Sequence, residues 1–279
     1  MQAPDGAEVV VKFWGVRGSI ASDGEEITRT GGNTACVEIR CGRHPLLFDA
    51  GTGLRKAGRA LAGDGLKTFD LFLSHSHYDH VIGLPFFAPL FDPEVRCAIW
   101  SGHTMGATKT GALVDALLNP LFFPAGAGMF RAEISYRDFI AGEVLRPSPA
   151  LEIATAQLDH PGGVTGYRVE SGGRAVAYLT DTGVRSDEAR QACLSLADRA
   201  DLVIYDCMYT EAEAPERADF GHSTWKDGVD LCERARARRL ALFHHAPERD
   251  DGAVEDIERL AQARFHGAFA AREGMSLRL

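Results

Sequence analysis

The segment at residues 75–80, His-Ser-His-Tyr-Asp-His, is the strongest chemical signal in the chain, because four of its six side chains are good zinc ligands. It directly follows an apolar run that predicts a strand, which would fix the histidines in space. The spacing of His75 and His77 puts two imidazoles on one side of an extended chain, whereas Asp79 and His80 can turn to another. This pattern favours two neighbouring metal ions over a loop that is rich in histidine by chance.

Three further candidate ligands, His160, Asp181 and His244, each follow an apolar run that predicts a strand. Taken singly, each has a structural alternative: a turn residue for His160, a helix N-cap for Asp181 and a partly buried core histidine for His244. Taken together with the segment at 75–80, they bring four predicted strand ends to one edge of a sheet. Proteins with alternating strands and helices build their sites at such edges.

The elements that must position these residues follow from apolar runs bounded by Gly and polar turn residues. The predicted strands lie at 9–13, 36–39, 46–48, 71–73, 151–157, 166–170, 175–179, 202–205 and 240–243. The predicted helices lie at 53–61, 108–118, 186–197 and 225–237. Because no linker rich in Pro or Ser divides the chain, we expect one domain over 1–279, with two sheets face to face and helices outside.

Residues 84–135 carry weaker patterning than their surroundings and contain many Pro, Gly and Phe residues. We expect this region to be a surface excursion near the active site, of the kind that often sets substrate access. The pattern leaves open whether it forms a lid over the site.

The composition is that of an ordinary globular protein: 279 residues, 45% hydrophobic and 25% charged. The formal net charge of -9 argues against binding to nucleic acid mainly by electrostatic attraction, because such binding requires clustered positive charge. No apolar run is long enough to span a membrane and no export signal is present, so we expect a cytoplasmic protein with its six cysteines reduced. A homodimer is the expected symmetric assembly.

The segment at 75–80 is identified as the HxHxDH signature of the metallo-β-lactamase superfamily. The segments FWGVRGS (13–19), GGNTACVEI (31–39) and FDAGTGL (48–54) resemble the branch that contains ribonuclease Z and the phosphonate-pathway phosphodiesterase. The resemblance runs from Phe13 to about Asp251. It implies an α/β (α+β) fold, the four-layer αββα sandwich. It also implies a site for two divalent metal ions, zinc in the first place, with manganese or iron as alternatives.

The resemblance also implies which residues hold each ion. The first ion would be held by His75, His77 and His160, the second by Asp79, His80 and His244, and Asp181 would bridge the two. His245 competes with His244 for its place. Aligning the strand at 240–243 with the ligand-bearing strand of ribonuclease Z favours His244.

A branch-specific motif, Gly-His-Ser-Thr, lies at 221–224. In the phosphodiesterases that it resembles, the histidine binds no metal and lies beside the scissile phosphate, which would be the position of His222. The local alternative is that Ser223 or Thr224 caps a helix that begins near Trp225, and both interpretations can hold together. The predicted catalytic residues are Asp79 and His222.

These residues predict a metal-dependent hydrolase. Two cations roughly 3.5–4 Å apart lower the pKa of a shared water towards about 7, so that a bridging hydroxide can attack phosphorus. His222 would protonate the leaving oxygen or stabilise the charge of the transition state. Asp49 and Asp206, each at a predicted strand end, could hydrogen-bond the site histidines or simply start a turn.

The expected function is therefore a phosphodiesterase that cleaves a small or cyclic phosphodiester, such as a cyclic nucleotide. The structured RNA substrate of ribonuclease Z fits the acidic charge of the chain less well. One alternative is the hydrolysis of a carboxylic ester, lactone or thioester, for which His222 would not matter. Further alternatives are an iron-dependent oxidoreductase of the same fold and a metal-binding protein without activity.

Overall fold

The computed structural model describes residues 8–124, 126–149, 151–183 and 185–279. Within these residues, two seven-stranded mixed sheets lie face to face. Helices pack on the outer side of each sheet, which gives four layers in the order helix, sheet, sheet, helix. The predicted αββα sandwich is thereby confirmed.

The first sheet comes almost entirely from the N-terminal half of the chain. Its strands are β1 (Val9–Gly15), β2 (Cys36–Cys41), β3 (His44–Phe48), β4 (Thr68–Leu73), β5 (Arg96–Ser101), β6 (Glu133–Asp138) and β14 (Ser276–Arg278). Their order is β14-β1-β2-β3-β4-β5-β6. Pairing is antiparallel from β14 to β3 and parallel from β3 to β6, so β3 and β4 end at the same edge.

The second sheet comes from the C-terminal half. Its strands are β7 (Val144–Ser148), β8 (Leu151–Leu158), β9 (Val164–Ser171), β10 (Arg174–Leu179), β11 (Leu202–Asp206), β12 (Leu240–Phe243) and β13 (Ala268–Ala270). Their order is β13-β12-β11-β10-β9-β8-β7. The four strands from β13 to β10 are parallel, so β10, β11 and β12 present their carboxyl ends side by side.

Helices cover the outer faces and connect the parallel strands. They are α1 (Leu54–Gly63), the single turn α2 (Tyr78–Val81), α3 (Thr110–Leu117), α4 (Asp187–Ala197), α5 (Trp225–Ala235) and α6 (Asp251–Arg264). The helices α1 and α3 pack on the first sheet, and α4, α5 and α6 pack on the second. None of the helices in the described part of the chain is both long and apolar enough to cross a membrane.

The space between the sheets is filled by one apolar cluster to which both sheets contribute. Phe48 and Phe72 of the first sheet stack at 5.2 Å between ring centroids, and both rings meet Tyr167 of the second sheet edge-on. Such aromatic contacts add to the large hydrophobic stabilisation that burial of the rings provides. This shared core supports our proposal that the chain folds as one domain.

The region at 84–135, predicted to be a surface excursion, contributes strands to the first sheet. Strand β5 pairs in parallel with β4, β6 begins in this region and pairs in parallel with β5, and α3 packs against both. In β5, buried and half-exposed residues alternate from Cys97 onwards, which is the period of a strand at the sheet's margin. Only part of the region is strongly exposed, notably Leu121 and Phe122.

Candidate metal centre

All seven predicted ligands lie at one edge of the sandwich, just beyond the ends of strands. His75 and His77 follow β4, and α2 then presents Asp79 and His80. The other three, His160, Asp181 and His244, follow β8, β10 and β12. Because the carboxyl ends of neighbouring parallel strands meet at one edge, the fold brings together residues that are far apart in sequence.

Three acidic or histidine residues at these strand ends have a left-handed backbone. The φ angles are 62° at Asp49, 48° at Asp181 and 60° at His244. Residues other than Gly seldom adopt this conformation, and it tends to persist at functional sites, where the surrounding structure imposes it. Asp49 and His244 directly follow the last residue of a buried strand, and Asp181 lies two residues beyond one, so the change of backbone direction turns each side chain into the site.

The first group of potential ligands consists of His75, His77 and His160, whose ligand atoms lie within 4.8 Å of one another. The distance from His160 Nε2 to His77 Nδ1 is 3.1 Å. His75 Nε2 is buried and has no hydrogen-bond partner. Burial lowers the pKa of all three imidazoles, which favours the neutral form that binds metals.

The second group consists of Asp79, His80, Asp181 and His244. His80 Nε2 lies 3.2 Å from His244 Nε2, and both nitrogens lie within 3.2 Å of Asp79 Oδ2. Although burial opposes their ionisation, His80 lowers the pKa of Asp79, and His244 lowers that of Asp181, well below the ordinary range. Both carboxylates are therefore ionised and available as ligands.

Asp181 lies between the two groups, with one carboxylate oxygen directed at each. Its Oδ1 is 3.2 Å from His80 Nε2 and 3.1 Å from His244 Nε2. Its Oδ2 is 3.7 Å from His75 Nε2 and 3.9 Å from His160 Nε2. A carboxylate in this position can bind two cations at once.

The donor set fits divalent cations. His80 Nδ1 lies 2.7 Å from Asp49 Oδ2, so Nε2 is the ring atom that faces the site. Although burial opposes the charge, Asp181, Asp79 and Asp49 raise the pKa of His80 well above its ordinary value, so the site favours positive charge. A cation that replaces the Nε2 proton would satisfy this nitrogen and the carboxylate oxygens, which can only accept. In the first group, Nε2 of His75 is likewise buried without a hydrogen-bond partner, as a nitrogen that binds a cation would be. Imidazole and carboxylate ligands suit zinc, and they also accept manganese and iron.

Asp49 is the main hydrogen-bond acceptor behind the ligands. Besides His80, it accepts from the backbone N–H of Ser74 at 2.7 Å, from the Ser74 hydroxyl at 2.8 Å and from the Tyr178 hydroxyl at 2.7 Å. The other ring nitrogen of His160, Nδ1, lies 3.0 Å from the Gly221 carbonyl. Bonds of this kind fix the tautomer and the orientation of a metal-binding histidine.

His222 lies beside both groups and is bonded to Asp206 at the end of β11. The distance from His222 Nδ1 to Asp206 Oδ2 is 2.8 Å. Burial opposes the charge on the ring, but the Asp206 carboxylate outweighs it and raises the pKa of His222 to about 9. Thr224 caps α5 through reciprocal hydrogen bonds with Asp227, so the capping interpretation of the motif also holds.

The structure places His244, and not His245, with the other potential ligands. His245 Nε2 lies 3.0 Å from the Ala271 carbonyl, on the far side of the strand end. Burial lowers the pKa of His245 to about 3, so this ring is neutral within the core.

Two supporting contacts were not predicted from the sequence. The backbone N–H of Ser19 donates to Asp79 Oδ2 at 2.8 Å, and Gly18 lies against the ring of His244. Both residues belong to the FWGVRGS segment, which resembles the ribonuclease Z branch but contains no residue that was predicted to act in the site. His103 is buried, and its Nε2 lies 3.2 Å from Ser76 Oγ within the ligand segment.

The site opens into a cleft of about 500 Å³, whose lining includes His77, Asp79, His160, Asp181, His222 and His244. Among the described residues that line it, none is Lys or Arg. Two aromatic side chains at its margin, Tyr78 and Phe220, are 72% and 63% exposed. A ligand in the cleft would therefore meet the metal groups, His222 and aromatic surface.

An αββα sandwich with His and Asp clusters of this kind defines the class of metal-dependent hydrolases with the metallo-β-lactamase fold. Residues 44–245 match the family model described as the beta-lactamase superfamily domain, and the chain belongs to that family. The superfamily predicted from the HxHxDH signature is thereby confirmed.

Individual relatives agree with this assignment. The chain is 26% identical to a ribonuclease Z of Natronomonas pharaonis, over 95% of this chain and 96% of the relative. The metallo-beta-lactamase fold protein YhfI of Bacillus subtilis superposes with a TM-score of 0.74 at 18% identity, covering 98% and 100% of the two chains. A diphosphatase of the PhnP family superposes with a TM-score of 0.69 at 18% identity, covering 98% and 97%. The structural similarities show the shared fold.

Proposed function

We propose that this hydrolase is a phosphodiesterase that cleaves a small or cyclic phosphodiester, with a cyclic nucleotide as one such substrate. The observation that carries the proposal is the His222–Asp206 pair, which holds a protonated imidazole beside two groups of metal ligands in one cleft. Hydrolysis of a carboxylic ester or lactone by a metal-activated water needs no such group. An iron-dependent oxidoreductase would leave the pair without a role.

We assign the ligands as the sequence predicts. His75, His77 and His160 would hold one divalent ion, Asp79, His80 and His244 would hold the other, and Asp181 would bridge them. Zinc is the proposed metal, because four or more imidazole nitrogens with carboxylates form a typical zinc donor set. When bound, the two ions would supply an acidic water at neutral pH and positive charge for the phosphoryl oxygens.

The remaining chemistry falls to side chains of this chain. Asp206 orients His222 through Nδ1, so Nε2 is the ring atom left to donate to the leaving oxygen. Because the pKa of His222 is about 9, the ring carries its proton at neutral pH. Asp49 holds His80 in the orientation that Asp79 and Asp181 require.

The names of the curated relatives favour RNA as a second candidate substrate. The charge distribution supports the small substrate instead. The chain has a formal net charge of -9, and the described lining of the cleft contains Asp219 but no Lys or Arg. Proteins that bind a polyanionic backbone place basic side chains in contact with its phosphates.

The test is turnover by protein loaded with a defined metal. Bis(p-nitrophenyl) phosphate is compared with p-nitrophenyl acetate, a lactone and a precursor tRNA transcript. The variants are His222→Ala and, as a matched control, His266→Ala, whose exposed ring lies before β13 at the opposite ends of the parallel strands.

We expect metal-dependent turnover of the phosphodiester that falls about tenfold in His222→Ala, because the charged ring stabilises the transition state even when the leaving group needs no proton, and that is unchanged in His266→Ala. Turnover of the acetate or lactone alone, with an indifferent His222→Ala, would refute the proposal. Cleavage of the transcript with no turnover of the small diester would favour RNA.

A further inference from the structure

A second cavity, of about 220 Å³, lies beside the metal cleft between α2 and α3. Its walls include Leu73 at the end of β4, Val81 in α2, and Leu84, all of which are buried. None of the described residues that line the cavity is charged. Because an apolar cavity of about 150 Å³ can hold benzene, this one has room for an aromatic ring or a short branched alkyl group.

The helix α3 presents apolar side chains to this cavity that the core does not fully bury. Leu113 and Leu117 lie one helical turn apart on the same face, and both are half-buried. Val114 beside them is buried in the core under the first sheet. Ala116, which is exposed, completes the α3 wall of the cavity. The wall therefore favours an apolar occupant.

Two polar side chains, Ser76 and Tyr78, line the cavity, and the buried side of the wall at Ser76 already has a partner. Ser76 Oγ lies 3.2 Å from His103 Nε2. Burial lowers the pKa of His103 to about 4, so the ring behind Ser76 is neutral at physiological pH. A charged group placed in the cavity would lose its hydration without gaining a counter-charge.

The cavity adjoins the metal cleft at Ser76 and Tyr78, which line both. Tyr78 stands between the proposed ligands His77 and Asp79, and its side chain is 72% exposed. Its ring therefore lies at the boundary between the two spaces. A molecule with one end at the metal ligands can place a neighbouring group in the cavity.

We propose that this cavity is a substrate subsite that takes an uncharged aryl or alkyl ester group of the phosphodiester. Tyr78, Leu113 and Leu117 would determine specificity there. The proposal rests on the proposed function for the phosphate end of the molecule. It adds that the preferred diester has one apolar ester group, and that a second phosphate of an RNA chain is excluded from this position.

The test compares two diesters that share a leaving group, phenyl p-nitrophenyl phosphate and methyl p-nitrophenyl phosphate. Ala116→Phe would fill the cavity from an exposed helix position, and Asp115→Phe places the same ring one residue away, outside the lining. We expect wild type to favour the phenyl diester about tenfold or more in kcat/KM, as apolar pockets do for groups they fit. Ala116→Phe should remove this preference by raising KM for the phenyl diester, whereas Asp115→Phe should keep it.

Binding gives a readout that does not depend on turnover. Calorimetry on zinc-loaded protein should show phenylphosphonate bound about tenfold more tightly than methylphosphonate, with the difference lost in Ala116→Phe and kept in Asp115→Phe. Equal affinities in wild type, or a loss shared by both variants, would overturn the subsite even if diesters are hydrolysed. Unequal affinities without turnover of either diester would support the subsite and refute the phosphodiesterase.

Discussion

The His222–Asp206 pair lies beside the two proposed ligand groups, and His222 is also within 4.8 Å of ligand atoms of His160, Asp181 and His244. Asp206 also accepts from the backbone N–H groups of Thr182 and Met208, at 3.1 Å each, so its carboxylate is held in place from both sides. The ring of His222 in turn lies 5.2 Å from those of His160 and His244, measured between centroids. A proton donor is thus fixed beside both ligand groups.

We predict that the effect of His222→Ala depends on the leaving group. p-Nitrophenolate is a stable anion that departs without a proton, whereas an alkoxide requires one. The loss of kcat/KM should therefore be at least ten times larger for an alkyl leaving group than for p-nitrophenolate. Asp206→Asn should also lower kcat/KM more for the alkyl leaving group than for p-nitrophenolate. The difference should be smaller than in His222→Ala, because the ring remains and only its carboxylate partner is lost. Steady-state kinetics on a pair of diesters measure this, and equal losses for both would show that His222 stabilises charge without donating a proton.

The proposed ligands were predictable because their signals are local. His75, His77 and Asp79 stand in one short motif, and His244 directly follows an apolar strand. The contacts of Ser19 with Asp79, and of Gly18 with His244, were not predictable. They are made by a backbone amide and by the absence of a side chain, and neither leaves a chemical pattern in the sequence.

At the scale of elements, the loop that follows β1 supports the second ligand group. Arg17, in this loop, is fully buried, and its guanidinium donates to the carbonyls of Gly31, Ala246 and Arg249. Bonds from one guanidinium to several carbonyls hold these segments in a fixed relation. The loop is thereby held where Gly18 contacts the ring of His244, and no room remains there for a Cβ atom.

We predict that Gly18→Ala weakens metal binding without unfolding the protein. A Cβ at this position would lie 2.4 Å from a carbon of the His244 ring, so the ring or the loop must move. Loss of support for a ligand typically lowers metal affinity by about 10–100-fold. Competition with a chromophoric chelator measures this affinity. Gly63→Ala, in α1 where a Cβ meets nothing within 4 Å, is the control, and equal affinities in the two variants would contradict the prediction.

The elements at or next to the sheet margins were the hardest to predict. Among the described strands, β5, β6, β7, β13 and β14 were missed, together with the helices α2 and α6. In β6 every residue is exposed or half-buried, so the apolar alternation that marks a strand is weak, and its pairing with β5 fixes its conformation instead. The inner strands β4, β10 and β12 were predictable because burial on both faces favours apolar residues, which form all of β12, β10 after Arg174 and the last three residues of β4.

At the scale of the whole molecule, the site joins the two sheets. The first sheet leads into His75, His77, Asp79 and His80, and the second into His160, Asp181 and His244. Ions held by both sets would link the sheets at this edge, in addition to the apolar core between them. Because an ion held by both sets binds the folded state selectively, it adds to the free energy of unfolding.

We predict that metal removal lowers the melting temperature. Binding at about 100 times the dissociation constant contributes about 3 kcal/mol, which corresponds to a shift of roughly 5–10 °C for a chain of this size. Calorimetric melting with zinc and with a chelator measures the shift. Asp181→Ala, which lacks the carboxylate between the two groups, should respond less to the chelator, and an equal response would argue against bridging.

The division of the sheets along the chain also sets an order of events during synthesis. The ribosome completes the histidine-rich segment at 75–80 long before it reaches His160, Asp181 and His244. A nascent chain therefore exposes four of the seven proposed ligands while the other three do not yet exist. Tight capture of two ions by the proposed set must wait until His244 has been made and the second sheet has formed.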